Sequence, residues 1–98
     1  MALLHSLRTP AEIARTIGAN AKAIRLERNF SRETLASRSG VSAQTISRLE
    51  NEGQVTLSNL ILVAVALGCT EGFDQLFKKK APATLEDLKK PVRKRGTQ

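Results

Sequence analysis

The sequence has few of the residues on which several common classes of protein depend. Of its 98 residues one is cysteine, three are phenylalanine and none is tryptophan or tyrosine. A single cysteine can form no internal disulfide and no cysteine-based metal site, so we expect a protein of a reducing compartment, the cytoplasm. Scarce aromatics beside abundant alanine, leucine and isoleucine favour packed helices over a β-sandwich.

Long apolar runs are also missing. The longest, residues 57–67, is interrupted by Ser58 and Asn59 and is shorter than the roughly 18 to 20 residues that span a membrane. The apolar start, residues 1–4, meets His5 at once and is too short for the core of a signal peptide. We therefore expect no membrane association and no secretion signal.

Catalytic groups and metal ligands are too few for an enzyme. His5 is the one histidine and Cys69 the one cysteine, while Glu50 and Glu52 lie near a helix end. They supply neither a nucleophile beside a base nor the spacing of metal ligands. We expect no catalytic activity, no metal and no cofactor.

Positive charge is concentrated at one end of the chain. The net charge is +7, but residues 1–77 hold eight basic and seven acidic side chains, and residues 78–98 hold eight and two. The excess indicates an anionic partner, yet a claim that the nearly neutral body binds nucleic acid must rest on the geometry of a motif. We predict an N-terminal arm (1–8), one folded domain (9–80) and a basic, mostly irregular tail (81–98).

Helix-capping residues divide the predicted domain into helices. Thr9, followed by Pro10 and Glu12, has the pattern of a capping box, and Ser31 and Ser42 can cap two shorter helices. Apolar spacings of three and four support helices between these caps. We predict an all-α domain of five helices, beginning near residues 10, 32, 43, 57 and 71 and ending near residues 28, 39, 51, 67 and 79.

The second and third predicted helices are short and are separated by a tight turn at Gly40-Val41. Ala36 is small where the two helices would cross, and Ile46 and Leu49 face inward. This spacing matches the helix-turn-helix geometry of proteins that read the major groove. The opposite face of the third helix then points outward with Ala43, Gln44, Ser47 and Arg48.

At this point the sequence resembles the XRE family, the Cro and repressor type of helix-turn-helix found in phages. The resemblance covers about half of the chain, Ile24 to Gly68. It implies a five-helix, DNA-binding domain of the Cro/repressor type. Its segments are residues 24–28, Leu35-Ala36, Gly40-Val41-Ser42, residues 45–51 and residues 64–68.

The resemblance also implies roles for single residues. Family members pair the position of Arg25 with the acid at Glu50. The position of Arg32 is usually glutamine, which bonds a DNA phosphate. Arginine at this position departs from the family pattern. It can still reach a phosphate, but whether its side chain also links to the recognition helix stays open. Further phosphate contacts are expected from Ser31, Ser42, Thr45 and Asn51.

For base reading, the expected side chains are those of the outward face. Gln44 can present its amide to adenine, Arg48 can bind guanine or a phosphate, and Ala43 can touch a thymine methyl group, with Ser47 permissive. Exposed glutamine, serine and arginine on a helix are also common as plain solubility residues. The motif is what favours contact with bases here.

The expected function is a sequence-specific transcriptional repressor that binds a palindromic double-stranded operator as a homodimer. Two recognition helices would lie about 34 Å apart, one turn of duplex. The fourth predicted helix is apolar nearly all round, which suggests a covered surface. Candidate dimer residues are Leu62, Val63, Ala66, Phe73, Leu76 and Phe77.

Two further interpretations stay open. The Pro-broken basic extension after residues 74–77 looks like the HipB-like antitoxins, which repress their operon and hold a HipA-type kinase inactive. A helical adaptor or inhibitor that keeps the scaffold without binding DNA is the alternative from another class. The tail itself could be a nonspecific DNA arm, a partner-binding segment or merely solvated.

Overall fold

The computed structural model describes residues 8–79, and within them the chain is helical with no strand. The predicted tail, 81–98, and the predicted arm, apart from Arg8, lie outside the described residues. The elements are α1 (Pro10–Glu27), α2 (Arg32–Ser39), α3 (Ala43–Glu52), α4 (Leu57–Leu67) and a short 3-10 turn (Phe73–Gln75).

Each of the four α-helices begins at a serine or threonine whose side-chain oxygen accepts the amide three residues later. At α1 the arrangement is reciprocal, since Glu12 N donates to Thr9 Oγ1 at 3.1 Å and Thr9 N donates to Glu12 Oε1 at 2.9 Å. Such a cap contributes about 1 kcal/mol. The predicted starts of these four helices are therefore confirmed, and local sequence determines them.

The prediction of five helices is wrong for this part of the chain, because four α-helices are found. In place of the fifth helix, residues 73–75 form a single 3-10 turn that starts after Gly72 without a side-chain cap. Phe77 has a φ of 64° and, like Leu76, is exposed. A helix this short needs tertiary packing, and its apolar side chains have too little.

The core lies where α2, α3 and α4 meet, and Ala21 and Ile24 of α1 pack against it. α2 packs on both α3 and α4, and α3 packs mainly on α1. The arrangement places α3 at one side of the domain with α1 behind it. The buried apolar residues of the core are Leu35, Val41, Ile46, Leu49, Val63 and Leu67.

α1 and α3 touch backbone to backbone at two glycines. A Cβ atom on Gly18 would lie 2.0 Å from the carbonyl oxygen of Leu49, and one on Gly53 would lie 2.5 Å from the carbonyl carbon of Ala14. Gly53 also has a φ of 72° and caps the end of α3. The position of α3 on α1 is thus set without intervening side chains.

We predict that Gly18→Ala destabilises the domain. Helix propensity alone would favour alanine by about 1 kcal/mol, but the added carbon would overlap the Leu49 carbonyl, and overpacking of this kind costs about 1 to 3 kcal/mol or more. Chemical denaturation measures the net loss. The control Ala23→Gly, at an exposed position of the same helix, measures how much helix propensity alone changes the unfolding free energy. A Gly18→Ala variant more stable than the original chain would contradict the close approach of the α1 and α3 backbones.

Candidate nucleic-acid interface

The turn between α2 and α3 has a specific geometry. Gly40 ends α2 with a φ of 78°, and its amide donates to Ala36 O at 2.9 Å. The buried Ser39 accepts the amide of Val41 at 3.1 Å, and Val41 enters the core. Because both sides of the turn are anchored, the direction in which α3 leaves it is fixed.

α3 has one buried face and one outward face. Ile46, Leu49 and Glu50 are buried, whereas Gln44 and Arg48 are exposed. The side chain of Gln44 makes no hydrogen bond within residues 8–79, and the residue is exposed, so its side-chain amide faces solvent. Ala43 and Ser47 are half-buried at the edge of this outward face, and Ser47 Oγ accepts a hydrogen bond from Asn51 Nδ2 at 3.2 Å. The structure thus brings together the four side chains predicted to read bases.

Arg48 is drawn along the helix toward the loop between α3 and α4. Its Nη2 donates to Gln54 Oε1 at 2.6 Å, and its Nε lies 3.8 Å from Glu52 Oε1. Both side chains of the Arg48–Glu52 pair are more than half exposed, so this pair contributes little to stability. The guanidinium therefore lies at the C-terminal end of the outward face.

Beside Arg48 is a polar recess of about 300 Å³. The side chain of Thr56 caps α4 here by accepting the amide of Asn59 at 3.1 Å. The start of a helix carries partial positive charge, so the recess favours an anion. The predicted start of a helix near residue 57 is found here, but periodicity does not reveal that this start lies beside α3. The recess is lined by Thr45, Arg48, Gln54, Val55, Thr56 and Asn59.

The other predicted phosphate ligands lie near the N-termini of α2 and α3 and near the C-terminus of α3. Ser31 and Ser42 are exposed helix caps, and their hydroxyls lie 3.0 and 2.9 Å from the hydroxyls of Thr34 and Thr45. Thr45 is half-buried, and Asn51 is exposed. These hydroxyls reach solvent but already make hydrogen bonds within the domain.

Glu50 binds two arginines. Arg25 donates to its carboxylate from Nε at 2.6 Å and from Nη2 at 3.0 Å, and Arg32 donates from Nε at 3.0 Å. Arg25 also donates to Phe30 O at 2.8 Å. The Arg25–Glu50 pair is the one that the family resemblance implies. The Arg32 contact was not predicted, and it ties the start of α2 to α3.

The two arginines keep Glu50 ionised. Burial by itself works to raise the pKa of Glu50, but hydrogen bonds from Arg25 and Arg32 outweigh burial and hold that pKa below its usual value. In return, the hydrogen bond to Glu50 raises the pKa of Arg25. The side chains of Glu50 and Arg25 are 1% and 7% exposed, so this pair lies almost entirely out of water.

The residues predicted for a dimer surface divide into two groups. The assignment of Val63 to the dimer surface was wrong, since Val63 is 2% exposed and belongs to the core of its own domain. Ala66 packs against that core. Leu62 and Leu76 are exposed by 45% and 61%, and Phe77 is fully exposed. Half-buried Phe73 lines an apolar groove of about 200 Å³ between α1 and α4, together with Ile17, Leu60 and Cys69.

Within the described residues no helix is long and apolar enough to cross a membrane. The same part of the chain contains no group of histidine, cysteine, aspartate and glutamate side chains that could hold a metal ion. Cys69 is half-buried, and its thiol lies 3.5 Å from Leu67 O.

Two helices joined by a rigid turn, the second with an outward polar face, define a helix-turn-helix DNA-binding domain. A family model described as helix-turn-helix matches residues 22–73, more than half of the chain. The chain belongs to this family and is an XRE-type DNA-binding transcription regulator. None of the curated proteins matches the chain significantly.

We predict that Glu50→Gln lowers the unfolding free energy at neutral pH by about 3 to 5 kcal/mol, because it leaves two arginines without their buried counter-charge. The measurement is urea denaturation. Glu52→Gln, an exposed carboxylate on the same helix, is the control and should change little.

The same pair makes stability depend on pH. A carboxyl whose pKa is lower in the folded state stabilises the fold above its unfolded pKa, near 4.5, and this contribution is lost as pH falls through the folded value. Denaturation of the original chain should therefore become easier from about pH 4.5 downward. Equal pH profiles for Glu50→Gln and the original chain would contradict this assignment.

Proposed function

We propose that the chain is a sequence-specific transcriptional repressor that acts as a homodimer on a palindromic operator in the cytoplasm, by binding and not by catalysis. The observation that carries the proposal is the outward face of α3. Gln44 and Arg48 are exposed there, while Ile46 and Leu49 on the opposite side fix the helix in the core. A helix held this way can enter a major groove.

The two exposed side chains take different roles in the proposal. The side chain of Gln44 has no hydrogen bond to give up within residues 8–79 and can bind N6 and N7 of an adenine that stays paired with its thymine. Arg48 is already turned toward Gln54 and the recess, which suits a phosphate better than a guanine. Ala43 and Ser47, at the edge of the face, complete the contact with bases.

The recess beside Arg48 supports a phosphate contact next to the groove. Thr45, Gln54 and Asn59 line it with groups that can donate hydrogen bonds. Contacts of this kind set the register of a protein on duplex DNA, whereas base contacts select sequence. If about six to nine phosphates are engaged by a dimer, the logarithm of affinity should fall with the logarithm of salt with a slope of about −5 to −8.

We predict distinct effects for the two side chains on a duplex selected from a random pool. Gln44→Ala should weaken binding by about 1 to 3 kcal/mol and remove the preference at one base pair in each half-site. Arg48→Ala should weaken binding to all sequences alike and make the salt slope of a dimer shallower by about two, one phosphate per subunit. Fluorescence anisotropy over a salt series measures both.

The controls are Gln75→Ala and Arg15→Ala, which remove the same chemical groups from exposed positions outside α3. Neither should change sequence preference. If both Gln44→Ala and Arg48→Ala bind as the original chain does, the reading face is wrong. If the original chain selects no duplex at all, the non-DNA adaptor becomes the better description.

The dimer is proposed because one recognition helix contacts only a few base pairs. Two copies related by a two-fold axis would place two such helices about 34 Å apart. Leu76 lies beside Ile17 and Phe73, which line the groove, and the exposed side chains of Leu62 and Phe77 supply further apolar area. Apolar surface of this kind commonly marks a site of association.

We predict that Phe77→Asp shifts the protein from dimer to monomer in sedimentation equilibrium, since a charge would replace an exposed apolar anchor. Affinity for a full operator should fall by about a hundredfold as the linked second site is lost. Leu26→Asp, at an exposed leucine outside the predicted dimer residues, is the matched control. A dimer that survives Phe77→Asp would require a different surface.

The antitoxin assignment is a narrower second candidate. It is favoured by the exposed Leu76-Phe77 pair, which is followed directly in sequence by the basic residues Lys78, Lys79 and Lys80. Such a pair could anchor a HipA-type kinase as well as a second copy. Copurification of a kinase with a tagged chain from the native host distinguishes an antitoxin from a stand-alone repressor.

A further inference from the structure

The apolar groove between α1 and α4 is open to solvent although almost every side chain that lines it is apolar. Its volume is about 200 Å³, and Asn20 is the one residue of its lining with a strongly polar side chain. Ile17, which also lines it, is 43% exposed. Sites for small molecules are concave and mostly apolar, with a few polar groups that orient the ligand. The groove has this character.

The groove continues into an outer hollow of about 280 Å³ that Leu76 also lines. Ile17, Leu60 and Phe73 line both cavities, so the two are continuous. From Ile17 to Ile24 on α1 the groove is about 10 Å long, at roughly 1.5 Å per residue. Its volume lies near the lower end of small-molecule sites, about 300 to 1,000 Å³. A narrow cavity of this length suits an extended aliphatic chain.

Arg28 lies at the end of the groove near Cys69. It follows Ile24 by one helical turn, and residues four apart are neighbours on a helix surface. A Cβ atom on Gly68 would lie 3.9 Å from Arg28 Nη2. Gly68 stands in sequence between Leu67 and Cys69, which both line the groove. The partial negative charge at the C-terminal end of α4 favours a guanidinium at this position.

Arg28 has no ion-pair partner within residues 8–79. Its side chain is exposed and makes no hydrogen bond there, and the ion pairs in this part of the chain join other residues. Glu27, its neighbour in sequence, does not pair with it. Glu71 lines the outer hollow, toward the other end of the cavity. An anionic head group is therefore attracted at the Arg28 end and repelled at the Glu71 end.

We propose that the groove binds a free straight-chain carboxylate of medium length, with its alkyl chain between α1 and α4 and its head group on Arg28. A guanidinium can donate two parallel hydrogen bonds to a carboxylate. Insertion of the alkyl chain removes apolar surface of both the ligand and the groove from water. No residue of α3 lines the cavity, so such a ligand binds whether or not the chain binds DNA.

The first test is a nuclear magnetic resonance titration of the isotope-labelled full chain with hexanoate, heptanoate and octanoate, below the concentrations at which they form micelles. Affinity should rise about fourfold for each added methylene group while the alkyl chain lies in the groove. Octan-1-ol, which has the same chain without the charge, should bind about fivefold or more weakly than octanoate. If none of the carboxylates binds, the proposal is wrong.

The second test separates the head group from the alkyl chain. Arg28→Gln should weaken octanoate about fivefold or more and leave octan-1-ol unchanged, because only the carboxylate loses a partner. The matched control is Arg15→Gln, at an exposed arginine about 200° around α1 from Ile17; it should change neither affinity. Equal weakening of both ligands by Arg28→Gln, or equal effects of the two variants on octanoate, would overturn the proposal.

Cys69 reports whether the ligand lies in the groove. It is the only cysteine of the chain, is half-buried and belongs to the lining. Saturating octanoate should slow the reaction of its thiol with uncharged iodoacetamide severalfold, because the alkyl chain covers the sulfur. Octan-1-ol should do the same at saturation. Binding that leaves this rate unchanged would place the ligand elsewhere and would contradict the proposal.

Other occupants of the groove give different results. If a second copy fills it, the reaction of Cys69 slows as protein concentration rises and octanoate does not bind. If residues 81–98 of the same chain fill it, Cys69 is protected at every protein concentration and octanoate again does not bind. Either result would overturn the proposal. Failure of the chain to select any duplex would instead contradict the proposed function alone, because ligand binding is measured without DNA.

Discussion

The carboxylate of Glu50 is the point at which three helices are held together. It accepts hydrogen bonds from Arg25 on α1 and Arg32 on α2, and it belongs to α3 itself. An ionised carboxylate with 1% of its side chain exposed is tolerated only because these donors replace water. The energetic gain over an apolar cluster is small, but directional bonds hold α3 in one orientation, which a binding face requires.

The outward face of α3 follows from how its inward face is packed. Gly18 lets the α1 backbone lie directly against Leu49, and Ile46 fills the core with no exposed surface. These contacts oppose rotation of the helix about its axis, since a rotation that carried Gln44 into the core would carry Ile46 out toward solvent. The polar face is thus specified by steric contacts on the opposite side, and its chemistry can vary without changing the fold.

Local chemistry was the predictable part of this structure. Caps such as Ser31 and Ser42 act within three residues, so sequence indicated the helix starts, and the spacing of Ile46 and Leu49 indicated the buried side of α3. The prediction of a fifth helix was wrong because so short a helix needs tertiary packing, which local sequence does not reveal. Residues 73–75 form a 3-10 turn instead. Val63 was misassigned because an all-apolar helix does not reveal which side meets its own core. The bond from Arg32 to Glu50 joins residues 18 apart, and no pattern of local spacing indicates it.

These geometric constraints matter for function because residues 1–77 are nearly neutral in net charge. Residues 1–77 carry a net charge of +1, so long-range attraction to DNA from this part is weak, and affinity must come from donors aimed at particular phosphates and bases. Arg32 and Arg25 show how such donors are oriented, because both are held by the one carboxylate of Glu50. In the proposed function this arrangement makes binding depend on alignment, because a misaligned duplex would lose phosphate contacts and base contacts together.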